Sequence, residues 1–65
     1  MALTEIGQLL IDGLQLCPLE EWQRAMIYLK MDTQEKKLEM ARFIGQHKNA
    51  AAEELMAAAA EIAEA

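Results

Sequence analysis

Cys17 and His47 are the two residues whose chemistry is most versatile, and each is the single member of its type in the sequence. A thiol at a helix N-terminus has a lowered pKa and can act as a nucleophile, and a histidine can serve as a general base or a metal ligand. One cysteine and one histidine cannot form an internal disulfide or a closed Cys/His zinc site. We interpret Cys17 as a small buried residue at a helix junction and His47 as a solvated side chain near the carbonyls of a helix end.

Two pairs of neighbouring acids, Glu20 with Glu21 and Glu53 with Glu54, are the remaining candidates for acid and base chemistry. Adjacent residues point about 100° apart on a helix, so the two carboxylates of each pair point in different directions. We interpret both pairs as parts of solvated helix faces. The sequence contains no glycine-rich phosphate loop, nucleophile elbow or zinc-protease pattern. We therefore predict no catalytic site, no metal and no cofactor, and we expect that the protein is not an enzyme.

The net charge of −5 is unevenly distributed along the chain. Residues 1–23 carry four acids and no base, residues 24–48 carry six bases and three acids, and residues 49–65 carry four acids and no base. Overall acidity argues against nucleic acid as a partner, because phosphates bind to basic surfaces. The alternating signs favour acidic ends that fold back on the middle, or on the middle of a neighbouring copy.

A DNA-binding helix-turn-helix is a minor alternative for the middle of the chain. The side chains that could face DNA are Gln34, Lys36, Lys37 and Arg42. The three cations among them project in different directions, and Glu35 and Glu39 are interleaved with them, so the electrostatic attraction to phosphate would be weak.

Apolar residues recur with helical spacing from the start of the chain. They predict a first helix over about residues 3–16, with a stripe formed by Leu3, Ile6, Leu9, Leu10, Leu14 and Cys17. Gly7 and Gly13 lie on or beside this stripe, where another helix could approach closely.

A second helix, over about residues 18–31, is apolar on two sides. Pro18 is tolerated at a first helical position, and Leu19, Trp22, Ala25, Met26 and Leu29 share one face. Ile27, Tyr28 and Met31 fall on the other side. Either this helix is central to the fold, or its second face contacts another molecule.

The second half of the chain predicts a helix over residues 33–46 and another over 50–64. Asp32 and Glu35 have the spacing of a capping box, and Asn49 could cap the last helix. The buried stripe of residues 33–46 contains Leu38, Ala41, Ile44 and Gly45, with Met40 at its margin and Phe43 on the polar side. One continuous helix over 33–64 also preserves the stripe, but its length would far exceed the mean of about 11 to 12 residues, so we favour a break.

These patterns predict an all-α fold: one domain spanning residues 1–65 and built as a small bundle of three to four short helices, the last two possibly joined. The expected core contains Leu10, Leu14, Trp22, Met26, Leu29, Leu38, Ile44, Leu55 and Ile62. A chain of this length buries only about 60% of its unfolded surface, so it needs regular helix packing or association for stability.

Five apolar residues lie off the main stripes by helical geometry, and we predict that they form a contact surface: Ile27, Tyr28, Met31, Met40 and Phe43. The expected function is a non-catalytic interaction or self-association module whose partner is a second copy, with a dimer favoured, or another protein. The alternative is a small regulator whose acidic ends bind a basic protein. Without a targeting segment or an apolar run long enough to span a bilayer, we expect a cytoplasmic protein that does not enter a membrane.

Overall fold

Four α-helices make up the fold, as the apolar periodicity predicts. The computed structural model describes residues 3–65, in which the helices are α1 (Leu3–Gln15), α2 (Glu21–Lys30), α3 (Gln34–Gln46) and α4 (Ala52–Glu64). No strand occurs in this range. The predicted all-α bundle is therefore confirmed, with α3 and α4 as separate helices.

Helix α1 packs mainly against α3, and Gly13 permits the close approach. A Cβ atom at Gly13 would lie 3.4 Å from Cγ2 of Ile44, so the backbone of α1 already contacts that side chain almost directly. Leu10 and Leu14, on the same side of α1, are 0% and 2% exposed. The predicted buried stripe of the first helix is thus correct for Leu10 and Leu14 but wrong for Leu9, which is 44% exposed. The side chain of Leu3, also predicted on the stripe, lies outside the described residues.

Helix α2 begins later than the sequence pattern predicts. Pro18 lies in the turn that follows α1, and Glu20 is the N-cap, with extended backbone. The backbone N–H of Glu20 donates to the Gln23 side chain at 2.9 Å. This bond satisfies one of the N–H groups that a helix start leaves without a partner.

The face of α2 that turns inward is the opposite of the predicted one. Ile27 and Met31 are completely buried, whereas Trp22 is 58% and Leu29 is 77% exposed. Periodicity shows which residues share a face, but on a helix that is apolar on two sides it does not show which face enters the core. Trp22 and Leu29 are therefore wrong members of the predicted core, and Met26 is only half-buried.

Contacts around Ile27 give a physical reason for this orientation. Arg24, on the same side of α2, donates from Nε to the Leu14 carbonyl at the end of α1 at 3.2 Å. The Tyr28 hydroxyl lies over Gly7, where an added Cβ would be only 3.3 Å away. Turning Ile27 inward thus places the Arg24 cation on a carbonyl at the end of α1, where the helix dipole favours positive charge, and fills the space that Gly7 leaves.

Helix α3 begins at a threonine cap, not at the predicted Asp32. The Oγ1 atom of Thr33 accepts from the backbone N–H of Lys36 at 3.2 Å. Met40 is 0% exposed and Ile44 is 8% exposed, so Met40 lies at the centre of the buried stripe and not at its margin. Leu38, predicted as core, is half-buried.

A non-helical turn at residues 47–51 separates α3 from α4. His47 ends α3, and its carbonyl accepts from the Ala50 N–H at 3.0 Å. Ala50 is buried, at 7% exposure, and anchors the turn to the core. Ala51, not Asn49, is the N-cap of α4; its backbone is extended and its N–H donates to Oε1 of Glu54 at 3.4 Å.

Ala51→Asp is expected to raise the free energy of unfolding by about 1 kcal/mol, because alanine is a poor N-cap and an aspartate can accept from the first turn. Urea denaturation measures the change. Ala57→Asp, on an exposed position inside α4, is the matched control and should lower stability by about 0.5 kcal/mol. Equal losses for both variants would mean that residues 47–51 are helical, and would contradict the break.

Basic side chains lie at helix carboxyl ends. Besides Arg24 at the end of α1, the Nζ of Lys37 donates to the Met31 carbonyl after α2 at 2.7 Å. The Nζ of Lys36 donates to the Ala63 carbonyl in α4 at 2.9 Å and lies 3.3 Å from Asp32. Cations near these carbonyls are favoured by the helix dipole. The basic middle of the chain therefore binds the ends of α1 and α4 through backbone oxygens.

Candidate interaction surface

The five residues predicted to form a contact surface lie in or against the core. Ile27, Met31 and Met40 are 0% exposed, so a partner cannot reach them in this fold. Tyr28 and Phe43 are half-buried and pack against the same core. The predicted exposure is therefore wrong for Ile27, Met31 and Met40. For Ile27 and Met31 the error follows from assigning the wrong face of α2 to the interior, whereas Met40 was placed at the margin of a stripe on α3 of which it is the centre.

The outer face of α2 is the apolar surface that results from the inverted orientation. We use this name for Trp22, Ala25, Met26 and Leu29, which follow the spacing i, i+3, i+4 and i+7 that places side chains on one helical stripe. Leu29 lies about 200° around the helix from Ile27, so the stripe points away from the core. Two of its members are large and mostly exposed.

The indole of Trp22 is held at the N-terminal end of this face. Its Nε1 donates to Oε2 of Glu20 at 2.6 Å. A tryptophan buried at an interface needs a partner for its one N–H group. Because Glu20 already provides that partner, the ring can be covered by another molecule without losing a hydrogen bond.

A second apolar area lies in a groove between α1 and α3. The groove has a volume of about 460 Å³, and its apolar lining includes Leu9, Leu16, Cys17, Ala41 and Ile44. Leu9 is 44% and Leu16 is 87% exposed. Asp12 and Lys48 also line the groove, so it carries one negative and one positive side chain.

Cys17 is half-buried beside this groove, and its surroundings disfavour the thiolate. Burial raises the pKa of the thiol, and the nearby Arg24 opposes this only in part. The Sγ atom donates to the Gly13 carbonyl at 3.2 Å, a bond that requires the protonated form. A raised pKa makes Cys17 a poorer nucleophile at neutral pH than a free cysteine.

His47 and the acidic pairs serve structural purposes or face solvent. The His47 ring stacks on Phe43, with ring centroids 4.2 Å apart, and its Nδ1 lies 3.1 Å from the Phe43 carbonyl. Within residues 3–65, no three His, Cys, Asp or Glu side chains come close enough to hold a metal ion. The glutamate pair at the start of α2 and the pair in the first turn of α4 are exposed.

No helix in the described range has the length and apolar character needed to cross a membrane.

Two of the four side chains considered for DNA contact, Lys36 and Lys37, donate hydrogen bonds to backbone carbonyls of α4 and of the turn after α2. These cations act within the chain.

The exposed large apolar residues that sequence reasoning missed are Trp22, Leu29, Leu16 and Leu9, the last of which it placed on the buried stripe of α1. The signal for the first two was present, since α2 is apolar on both sides, but the sequence pattern alone could not show which side a partner could reach. Leu16 follows the last residue of α1 and has no periodic partner beyond it, so no pattern distinguishes it. Comparison of the chain with protein-family models, with curated proteins and with solved structures found no match to any of them.

Proposed function

We propose that this chain is a non-catalytic interaction module that self-associates through the outer face of α2. The observation that supports the proposal best is the exposure of Trp22 and Leu29, at 58% and 77%, on one stripe of a helix that buries Ile27 on its opposite side. Large apolar side chains clustered on an exposed face are typical of protein contact sites, and tryptophan is enriched where binding energy is concentrated.

The available binding energy favours a weak complex. Covering a large apolar side chain is worth about 1.5–3 kcal/mol, so two such residues from each of two copies provide roughly 6–12 kcal/mol. Association costs an estimated 4–15 kcal/mol, which consumes most of that gain. We therefore expect a dissociation constant that is micromolar or weaker, with a monomer present at high dilution.

Sedimentation equilibrium over a range from low micromolar to near millimolar protein tests the proposal. The unmodified protein should change from monomer to dimer, and a Trp22→Ala/Leu29→Ala double variant should remain monomeric, because it lacks the apolar area. Leu16→Ala removes a leucine that is even more exposed than Leu29 from the groove between α1 and α3, and is the matched control that should still dimerise. A wild-type monomer at every concentration would refute the proposal.

A second candidate is a regulator that binds a basic protein. The observation in its favour is that Glu53, Glu54, Glu61 and Glu64 are exposed on α4, while Lys36 and Lys37 contact backbone carbonyls instead of these acids. Surface charges attract a partner mainly over the Debye length, so such a complex would weaken strongly as salt is added. Dimerisation through an apolar face would not.

A further inference from the structure

We infer that the outer face of α2 binds a second copy of α2 in antiparallel orientation, with the twofold axis between Ala25 and Met26. This inference rests on the proposed function and names the geometry of its complex. An isologous dimer requires one surface that is complementary to itself, in which residue i contacts residue j and j contacts i. The outer face of α2 meets this requirement in its size pattern and in its charge pattern.

The size pattern is symmetric about the centre of the helix. In an antiparallel pair centred between positions 25 and 26, Trp22 lies opposite Leu29 of the second copy, and Ala25 lies opposite Met26. Each large ring thus meets a leucine and each methyl group meets a flexible thioether side chain, so bulky and small residues interdigitate. Packed helices approach to about 8–10 Å, and the small Ala25 at the crossing point permits the shorter distance.

The charge pattern also favours the antiparallel orientation. Glu20 and Glu21 lie at the N-terminal end of α2 and Lys30 at its C-terminal end, and all three are exposed. An antiparallel pair brings the acidic end of one helix to the same end of the complex as the basic end of the other. A parallel pair would bring like charges and like helix-dipole ends together, which is unfavourable.

The length of α2 is consistent with a small contact. Ten residues span about 15 Å, and the stripe from Trp22 to Leu29 covers two turns of it. A stable complex of standard size buries about 800 Å² on each partner, more than one short helix face provides. A weak symmetric dimer therefore fits this face better than a permanent assembly.

Cysteine cross-linking tests the orientation, with Cys17→Ala as the background so that the introduced thiol is unique. Ala25→Cys places the two thiols beside the twofold axis, within the distance a disulfide requires. Leu29→Cys places them seven residues apart along the pair, roughly 10 Å. In the antiparallel dimer, the Ala25→Cys variant should form disulfide dimers in several-fold higher yield than Leu29→Cys does.

Mixing the Trp22→Cys and Leu29→Cys variants places the two thiols opposite each other in the antiparallel pair and keeps one Trp22–Leu29 contact intact. The antiparallel pair predicts a mixed disulfide between the two variants, identified by mass spectrometry, in several-fold higher yield than either variant gives alone. Because these positions are exposed, the variants should fold, and circular dichroism checks that they do.

Two contrary outcomes separate the inference from the proposed function. Efficient disulfides between identical Leu29→Cys chains would show a parallel pair, which overturns the orientation and leaves self-association through α2 intact. Dimers in sedimentation that persist in the Trp22→Ala/Leu29→Ala double variant and give no cross-link at position 25 would place the contact elsewhere, which overturns both.

Discussion

Ile27→Ala is expected to lower the free energy of unfolding by about 2–4 kcal/mol, whereas Leu29→Ala should change it by less than about 0.5 kcal/mol. Ile27 is completely buried and Leu29 is 77% exposed, although the two lie within one turn of the same helix. Removing the buried side chain loses its transfer energy and leaves a cavity, while removing the exposed one creates no cavity.

The size of this effect is large for such a short chain. The core of a chain of about 65 residues rarely supplies more than about 3–5 kcal/mol of net stability. Ile27→Ala should therefore leave a substantial unfolded fraction even without denaturant. Urea titration followed by circular dichroism, at a protein concentration low enough to keep the chain monomeric, measures both variants. A larger loss for Leu29→Ala than for Ile27→Ala would mean that the opposite face of α2 enters the core.

Met40→Ala should lower the free energy of unfolding by about 2–4 kcal/mol, and Met40→Leu should lower it by less than about 1.5 kcal/mol. Met40 is 0% exposed in the same cluster as Ile27 and Met31. Leucine keeps nearly the same apolar volume, so the core can repack around it, whereas alanine leaves a cavity.

The two Met40 variants also distinguish a core residue from a contact residue. If Met40 belonged to a surface that binds a partner, Met40→Ala would weaken association and leave the stability of the monomer almost unchanged. Thermal unfolding of dilute protein and sedimentation of concentrated protein measure the two properties separately. Unchanged unfolding with a lost dimer would contradict the burial of this side chain.

Much of the helical architecture could be predicted from local patterns. The spacing of Leu10 and Leu14 in α1 and of Leu55 and Ile62 in α4 identified residues that are indeed buried. In these helices only one side is strongly apolar, so the hydrophobic effect leaves one choice of inner face. Helix ends were less predictable, because Thr33 and Ala51 cap α3 and α4 in place of the expected Asp32 and Asn49.

The candidate surface could not be predicted in the same way. The predicted contact residues are apolar and lie off the helix stripes that local periodicity assigns to the core. Ile27 and Met40 are nevertheless buried, because other helices pack against them. The charge alternation predicted contacts between the basic middle of the chain and its acidic ends. The cations of the middle do reach the ends of α1 and α4, but they bind backbone carbonyls there. A sequence pattern does not show that Lys36 of α3 reaches the end of α4, because that contact depends on how the helices pack.

The sequence by itself determined that the chain forms short helices and which side chains share a face of each, because apolar periodicity and chain-breaking residues are local properties. Only the tertiary structure decided which face of α2 is inside. Both faces carry large apolar side chains, and the difference comes from contacts between distant residues: Arg24 with the end of α1, and Tyr28 with the space above Gly7. Those contacts bury Ile27 and leave Trp22 and Leu29 exposed.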